Sequence, residues 1–560
     1  MSIDQYSIIV GIDFGTTASS FAYCHTSNID QEVVINSAWP GQALGVFKTN
    51  TVLLYDSKSW DVIAWGANAV VRKFDKKKKK MANDTSNGGP AITVGLFKLH
   101  LADIREEDKP PLPMGLDYRK CIVDYLSEMR KVIRTTLDTR WPGIDFYRNV
   151  KFIITVPLNF SEKSRTILRE CALNAGLLEF LTSPSLEFVT EPDAAATHCI
   201  SSVRQLQAEE NIMVVDCGGG VIDITIRKLT TDGKLAEIIK YTSEFGGSIF
   251  VDKGFIRFLC ERFGLFEALQ QVQMYHYDQL QYLIYEFSQR VKLSFTGDPS
   301  TFKSVELDLE DCCPALLNYV TGDVKKQMEK SEWLIGLGYE DVKVMFDPVI
   351  QRIIQMIGGH MTFPNVKCAA LFLVGGFSES LYFQRQVREA FQLYVPIIEI
   401  PKQPTNAILR GAIQHVLGMR TIRSRILRYT YGVQVTAKWK KGDPPQRKTQ
   451  DGLMYVFHTL VKRGTEVKVD QMFGYVARPS GSHQIDMTFD IYASPNTDVR
   501  FCDEPGNRYL GTLKVDLSDI KHGGKKLVEF SLVFGLTKIK AIAKDQKTGR
   551  VYHASLNLDF

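Results

Sequence analysis

The chain has 560 residues, and at roughly 150 residues per domain that length implies three to four folding units with a large core. Hydrophobic residues make up 44% and charged residues 23%, which excludes a disordered or fibrous protein. Sixty-eight Lys+Arg against 63 Asp+Glu give a formal charge of +5, too near balance for a dedicated nucleic-acid binder. No apolar run reaches the roughly 18 residues that a membrane-spanning helix needs. Met1–Tyr6 carries Asp4 and no basic residue, so no secretory signal is visible. The ten cysteines are scattered without a CxxC pair, which fits neither a disulfide framework nor a zinc site. Free thiols fit a reducing compartment, so a cytoplasmic or nuclear location is expected.

In chain order, Ser7–Asp13 reads as a short buried strand, followed by a Gly-containing turn and a strand over Ser19–Tyr23. The basic run Arg72–Lys80, with Lys76–Lys80 at its end, precedes Asn83–Pro90. It reads as a solvated insertion loop, with a basic contact patch or a nuclear import signal as the alternative. Lys151–Val156 is a strand closed by Pro157. Ser161 caps a helix expected to run to Leu178. Ile212–Asp216 is a strand ending in three glycines, and Ile222, Ile224 and Ile226 alternate on the next strand. Ala369–Val374 is a strand before Gly375-Gly376, with a helix expected from Glu379 to about Tyr394. Strand–helix alternation over the first 420 residues implies an α/β architecture.

The pattern then changes. Val433, Val435, Ala437 and Trp439 alternate with polar residues, as do Ile485, Met487, Phe489, Ile491 and Leu513, Val515, Leu517. Lys540–Leu558 reads as a hairpin turning near Asp545–Gly549. Period-two segments between turn clusters imply antiparallel strands in a sandwich or partial barrel.

Two segments are versions of one device. Ile8–Thr17 is a strand, Asp-x-Gly and a small polar turn. Ile212–Gly220 repeats it with Asp216 and Gly218-Gly219-Gly220. Such turns expose backbone N–H groups that can cradle phosphate oxygens. An Asp at the turn entrance can hold magnesium directly or through its waters. Two turns facing each other would clamp a nucleotide's phosphates from both sides.

With these two, Glu191-Pro192-Asp193-Ala194-Ala195 and Val374-Gly375-Gly376-Phe377-Ser378 complete an ordered set over residues 8 to about 418. The set resembles the phosphate 1, connect 1, phosphate 2 and adenosine motifs of the actin-like ATPase superfamily. Within that superfamily it is most similar to the heat-shock protein 70 family, and there to the divergent heat shock 70 kDa protein 12 branch. Glu244-Phe245-Gly246-Gly247 resembles the segment near the ribose, and Pro404–Ala407 with Gly411-Ala412 resembles the connect 2 helix. Leu460–Thr465 is similar to a strand of the family's peptide-binding domain.

The resemblance implies an α/β actin-like ATPase. Two ribonuclease H-like lobes, residues 1–205 and 206–420, would flank a nucleotide cleft. A linker over 421–430 and an antiparallel β domain over 431–560 would follow. ATP/ADP and Mg2+ are the implied cofactors. Asp13 and Asp216 would hold the magnesium hydration shell, and Thr16 and Thr17, beside Gly15, would contact phosphates. Glu191 would orient or deprotonate the attacking water, and Asp223 would help bind an ion. Gly218–Gly220, Gly246, Gly247, Gly375, Gly376 and Ser378 would line the nucleotide. Arg290 and Ser294 would stand at its adenine side. Lys98, in Gly95–His100, matches the family's lysine, with a snorkelling surface residue as the alternative.

The departures matter. The family's Thr after the triple glycine is Val221, and its adenine-stacking arginine aligns with Glu379. Ile422–Tyr429 is basic where the ordinary linker is acidic and leucine-rich, and the sequence ends after a strand, with no helical lid expected. These changes weigh against ATP–peptide coupling and against co-chaperone stimulation. An extended peptide or unfolded protein remains the expected partner, with no nucleic acid and no membrane span. A nucleotide-gated scaffold or sensor stays open, while a small-molecule kinase and a filament subunit of the same superfamily are disfavoured by the β-rich C-terminal residues. Cys217 reads as a small buried filler, with a reactive thiol as the alternative.

Overall fold

The strand Ile8–Asp13 is buried at every position, as expected of a central strand with both faces covered. It pairs antiparallel with Ala18–His25 and parallel with Val150–Val156, which pairs parallel with Leu186–Thr190. The computed structural model to which this sheet belongs describes residues 6–27, 33–70, 91–102, 104–157, 160–202, 206–362, 367–417, 422–468, 470–479, 484–517, 527–535 and 539–555. The Lys76–Lys80 run and the boundary residues 203–205 and 418–421 lie outside the described residues.

The chain forms two units. The first takes Met1–Asn159, Ile167–Thr225 and Tyr241–Arg420; the second takes Phe160–Thr166, Ile226–Lys240 and Thr421–Phe560. In the first unit a second sheet orders Ile397–Glu399, Cys368–Val374, Asn211–Cys217 and Val221–Leu229. The first two of these pairings are parallel. The two strand–turn–strand devices are therefore the central hairpins of two separate sheets.

Local signals explain most element ends. Ser161 Oγ accepts the Ser164 N–H at 3.0 Å, and the helix behind it spans Glu162–Asn174, stopping short of Leu178. The helix expected from Glu379 instead spans Leu381–Phe391. Ser380 is its cap, accepting from Phe383 N–H, and Gly376–Glu379 forms a separate 3-10 turn.

Helices Glu191–Ser202 and Ala407–Val416 cross at backbone contact. A Cβ at Gly411 would lie 1.8 Å from the Ala194 carbonyl oxygen, and one at Gly11 would meet Ile413 at 3.1 Å. Only glycine allows helix 407–416 to lie this close to its neighbours. The approach matters because Glu191 begins the first helix.

In the second unit, Leu235 and Ala236 pair with Ile422 and Ser424, and Ser424–Ile426 pairs with Glu466–Lys468. Two four-stranded sheets follow. One orders Leu453–Val461, Thr430–Lys438, Asp486–Ser494 and Arg508–Asp516; the other orders Gln471–Ala477, Val528–Phe534, Ile539–Asp545 and Val551–Ser555. All their pairings are antiparallel. Val433, Phe489, Ile491 and Val515 from one sheet share a core with Val528, Phe530, Leu532 and Ala541 from the other. The Phe489 and Phe530 rings stack at 4.5 Å. The alternation read from sequence thus marks the inward faces, except that Ile485, just before its strand, is exposed and Ala437 and Trp439 are half-buried outside the shared core.

Gly411→Ala should cost about 3 kcal/mol, because the clash is with backbone that cannot rotate away. Thermal melting of the full chain checks this, and an unchanged melting temperature would contradict the crossing.

Candidate functional site

Asp13 ends the strand Ile8–Asp13, and Asp216 lies one residue before the end of Asn211–Cys217. Each carboxylate thus stands at the mouth of a turn. Phe14 anchors the first turn from behind, packed on Phe97 and Tyr125 at 6.2 and 5.9 Å. The two turns face each other. A Cβ built on Gly219 would sit 2.7 Å from Thr17 Oγ1, and one on Gly220 would sit 3.8 Å from the Thr16 methyl. Thr16, Thr17 and Gly218–Gly220 are thereby brought together, as the paired-turn reading expects.

The other glycine segments pack on the second turn. Gly246 N–H donates to the Gly220 carbonyl at 3.0 Å, and Ser248 and Ile249 N–H donate to Gly218 and Gly219 carbonyls at 3.2 and 3.0 Å. Gly375 has φ +84°, and a Cβ there would fall 2.3 Å from Asp216 Oδ1. Any side chain at 375 would fill the space beside that carboxylate, so glycine is required on two counts.

Glu191 is the first residue of helix Glu191–Ser202, where Thr190 Oγ1 accepts the Asp193 N–H at 3.3 Å. A carboxylate in this turn faces the positive end of the helix dipole. One carboxylate oxygen each from Glu191, Asp216 and Asp223 lie within 4.8 Å of one another. Burial pushes the Glu191 carboxyl up, opposed by Lys98 and reinforced by Asp13. Burial, then the Glu191, Asp223 and Asp13 charges, push Asp216 well up. Asp216 Oδ1 has no hydrogen-bond partner among the described residues, though it is buried. An uncompensated buried carboxylate oxygen in a ring of oxygen donors suits a hard divalent cation.

Two ammonium groups enter this ring. Lys98 Nζ donates to Glu191 Oε1 at 3.2 Å and lies 5.9 Å from the centre of the Phe14 ring. Its side chain is 5% exposed, which rules out the snorkelling alternative. Lys48 Nζ donates to Asp13 Oδ2 at 2.7 Å. Sequence reasoning missed Lys48, which belongs to no motif and precedes a strand of only two residues, Thr49–Asn50.

Other residues fall differently. Ser378 is fully buried, and its hydroxyl donates to the Val374 carbonyl at 2.6 Å, so it fixes the loop's own backbone. Arg290 is exposed beside Ser304, Val305 and Glu306, and the exposed Ser294 hydroxyl is within hydrogen-bond distance of the Arg290 and Val291 carbonyls. Glu379 accepts from Thr405 Oγ1 at 2.5 Å. Cys217 is fully buried, and burial beside Asp216 pushes its thiol well up, the opposite of an activated thiolate.

Residues 146–311 match the Hsp70 protein family model. Heat shock 70 kDa protein 12A of Mus musculus is 25% identical, over 99% of this chain and 92% of that protein. Heat shock 70 kDa protein 12B of Homo sapiens is 24% identical, over 99% and 91%. Chaperone protein DnaK 3 of a Synechococcus strain is 25% identical over 64% of this chain and 55% of its own length. No helix among the described residues is long and apolar enough to cross a membrane. The Hsp70 likeness implies the actin-like ATPase fold, with which the mixed α/β sheets of the first unit accord. The chain is thus similar to the Hsp70 family model over residues 146–311 and, at 24–25% identity, to the heat shock 70 kDa protein 12 proteins over nearly its whole length.

Proposed function

We propose that the chain is an Hsp70-like protein that binds ATP and ADP with Mg2+ between its two facing turns and hydrolyses ATP there. The observation that carries this reading is the ring of Glu191, Asp216 and Asp223 oxygens within 4.8 Å, bordered by Asp13, Lys48 and Lys98. Residues 1–205 and 206–420 are proposed as the two lobes, 421–430 as the linker and 431–560 as a peptide-binding-like domain. When bound, the metal would supply charge neutralisation at the phosphates.

The chain's own groups supply the rest. Asp13 and Asp216 would hold the metal through its waters, and Asp223 would take part in ion binding. The N–H groups of Thr16, Thr17, Gly219 and Gly220 would cradle phosphate oxygens, while those of Gly15 and Gly218 close their own turns on Ser19 Oγ and the Val221 carbonyl at 3.2 and 3.0 Å; Gly246, Gly247, Gly375 and Gly376 keep the walls free of side chains. Glu191 orients the attacking water and can take its proton, since burial raises its affinity for one. Lys98 holds Glu191 in place and brings positive charge to the transferring group. Arg290 and Ser294 remain proposed for the adenine side, and Ser378 supports its loop.

A second reading, a nucleotide-gated scaffold with little turnover, is favoured by Val221, which puts a methyl group where the family has a hydroxyl. Single-turnover hydrolysis on the full chain separates the two. Glu191→Gln should slow turnover about a hundredfold or more while ADP affinity is kept. Wild-type turnover in that variant would overturn the role, and no wild-type turnover with intact ATP binding would establish the scaffold. The second unit's sandwich is proposed to bind extended peptide. Fluorescence anisotropy of a labelled hydrophobic peptide should rise on adding the chain, and a flat trace would contradict it.

Asp216→Asn should raise the ligand-free melting temperature, because it removes a buried carboxylate whose oxygen lacks a partner. The gain should be about 1 kcal/mol or more, with the Mg2+ contribution to nucleotide affinity lost. A lower melting temperature would show that this carboxylate is held by compensating contacts.

A further inference from the structure

Lys48 is carried by a segment sewn onto the first phosphate turn. Thr49 and Asn50 pair with Ser19 and Ala18, on the strand leaving that turn. Thr51 N–H donates to the Thr17 carbonyl at 2.9 Å, and Thr51 Oγ1 donates to the Gly15 carbonyl at 2.9 Å. The Tyr125 hydroxyl holds the Asn50 carbonyl at 3.0 Å, and Gln42 Nε2 donates to the Lys48 carbonyl at 3.4 Å. The lysine is therefore fixed to the turn it serves.

Its ammonium meets Asp13 Oδ2 at 2.7 Å, with the Asp13 side chain 6% exposed and that of Lys48 21% exposed. An ammonium has three donors, and Asp13 takes one, which leaves donors for phosphate oxygens. Asp13, Glu191, Asp216 and Asp223 bring four carboxylates to this place, and Lys48 and Lys98 bring two ammonium groups. Positive charge is thus built into the site by the chain itself.

We propose that Lys48 is a built-in cation of the phosphate site, which takes over part of the divalent ion's charge neutralisation. Nucleotide binding in this chain then depends weakly on metal. The inference rests on the nucleotide reading above and assigns Lys48 as a positioning and phosphate-binding residue of that site.

Calorimetry of ADP binding to the full chain, with excess MgCl2 and with EDTA, tests it. The wild-type protein should lose less than about tenfold in affinity when the metal is removed. Lys48→Met should lose at least about ten times more affinity for metal-free ADP than for ADP with MgCl2, and Lys48→Arg should keep the wild-type pattern. With MgCl2 alone, the melting temperature should rise more in Lys48→Gln than in the wild type, because Asp13 is freed for the ion. Equal losses in both conditions for Lys48→Met, or a hundredfold metal dependence in the wild type, would overturn the role of Lys48 and leave the nucleotide reading intact. No ADP binding by the wild type in either condition would overturn both. If Lys48→Met does not fold, the wild-type metal dependence and the Lys48→Arg pattern decide.

Discussion

The first unit is arranged around a repulsion among carboxylates that two of its own lysines help to relieve. Glu191, Asp216 and Asp223 bring oxygens within 4.8 Å in a buried place, where like charges interact far more strongly than in water. No folding force favours that arrangement by itself. It persists because each carboxylate is fixed by an element with other reasons to be there: Asp216 by a buried central strand, Asp223 by the strand after the triple glycine, Glu191 by a capped helix start. Lys98 and Lys48 relieve part of the strain. A site that stays partly unsatisfied when empty is poised for a cation and its anionic ligand.

Much of this was legible in the sequence because phosphate turns have a local chemistry. Asp-x-Gly at the end of an apolar strand is a statement about four or five neighbouring residues, and Asp13, Asp216 and the glycines stand where that grammar puts them. The facing of the two turns also followed from their duplication. Lys98 required the family resemblance, since an isolated lysine in an apolar run has no signature. Lys48 escaped altogether. Its role depends on Thr49–Thr51 pairing with the turn from some thirty positions away, and a two-residue strand leaves no periodic trace. Ser378 shows the opposite error. It lies inside a motif, yet its hydroxyl is used by Val374.

The second unit divides along the same line. Its inward faces were readable because Phe489 and Ile491, and Leu513, Val515 and Leu517, are buried at every other position. The membership of Phe160–Thr166 and Ile226–Lys240 was not, because those segments are sequence neighbours of the first unit's strands and helices. Pairing between distant strands, as between Leu235 and Ile422, is a tertiary fact with no local signature. Glycine contributes the remaining specificity, at Gly411 by letting two backbones touch and at Gly375 by leaving space beside Asp216.

The central claim is that one ligand engages both turns and the Gly375 loop at once. Hydrogen–deuterium exchange of the full chain, with and without Mg2+ and ADP, reads this directly. Slower exchange should appear together in peptides covering residues 13–20, 216–223 and 374–379, with no comparable change over 484–517. Protection confined to one of the three segments, or absent from all, would contradict the account.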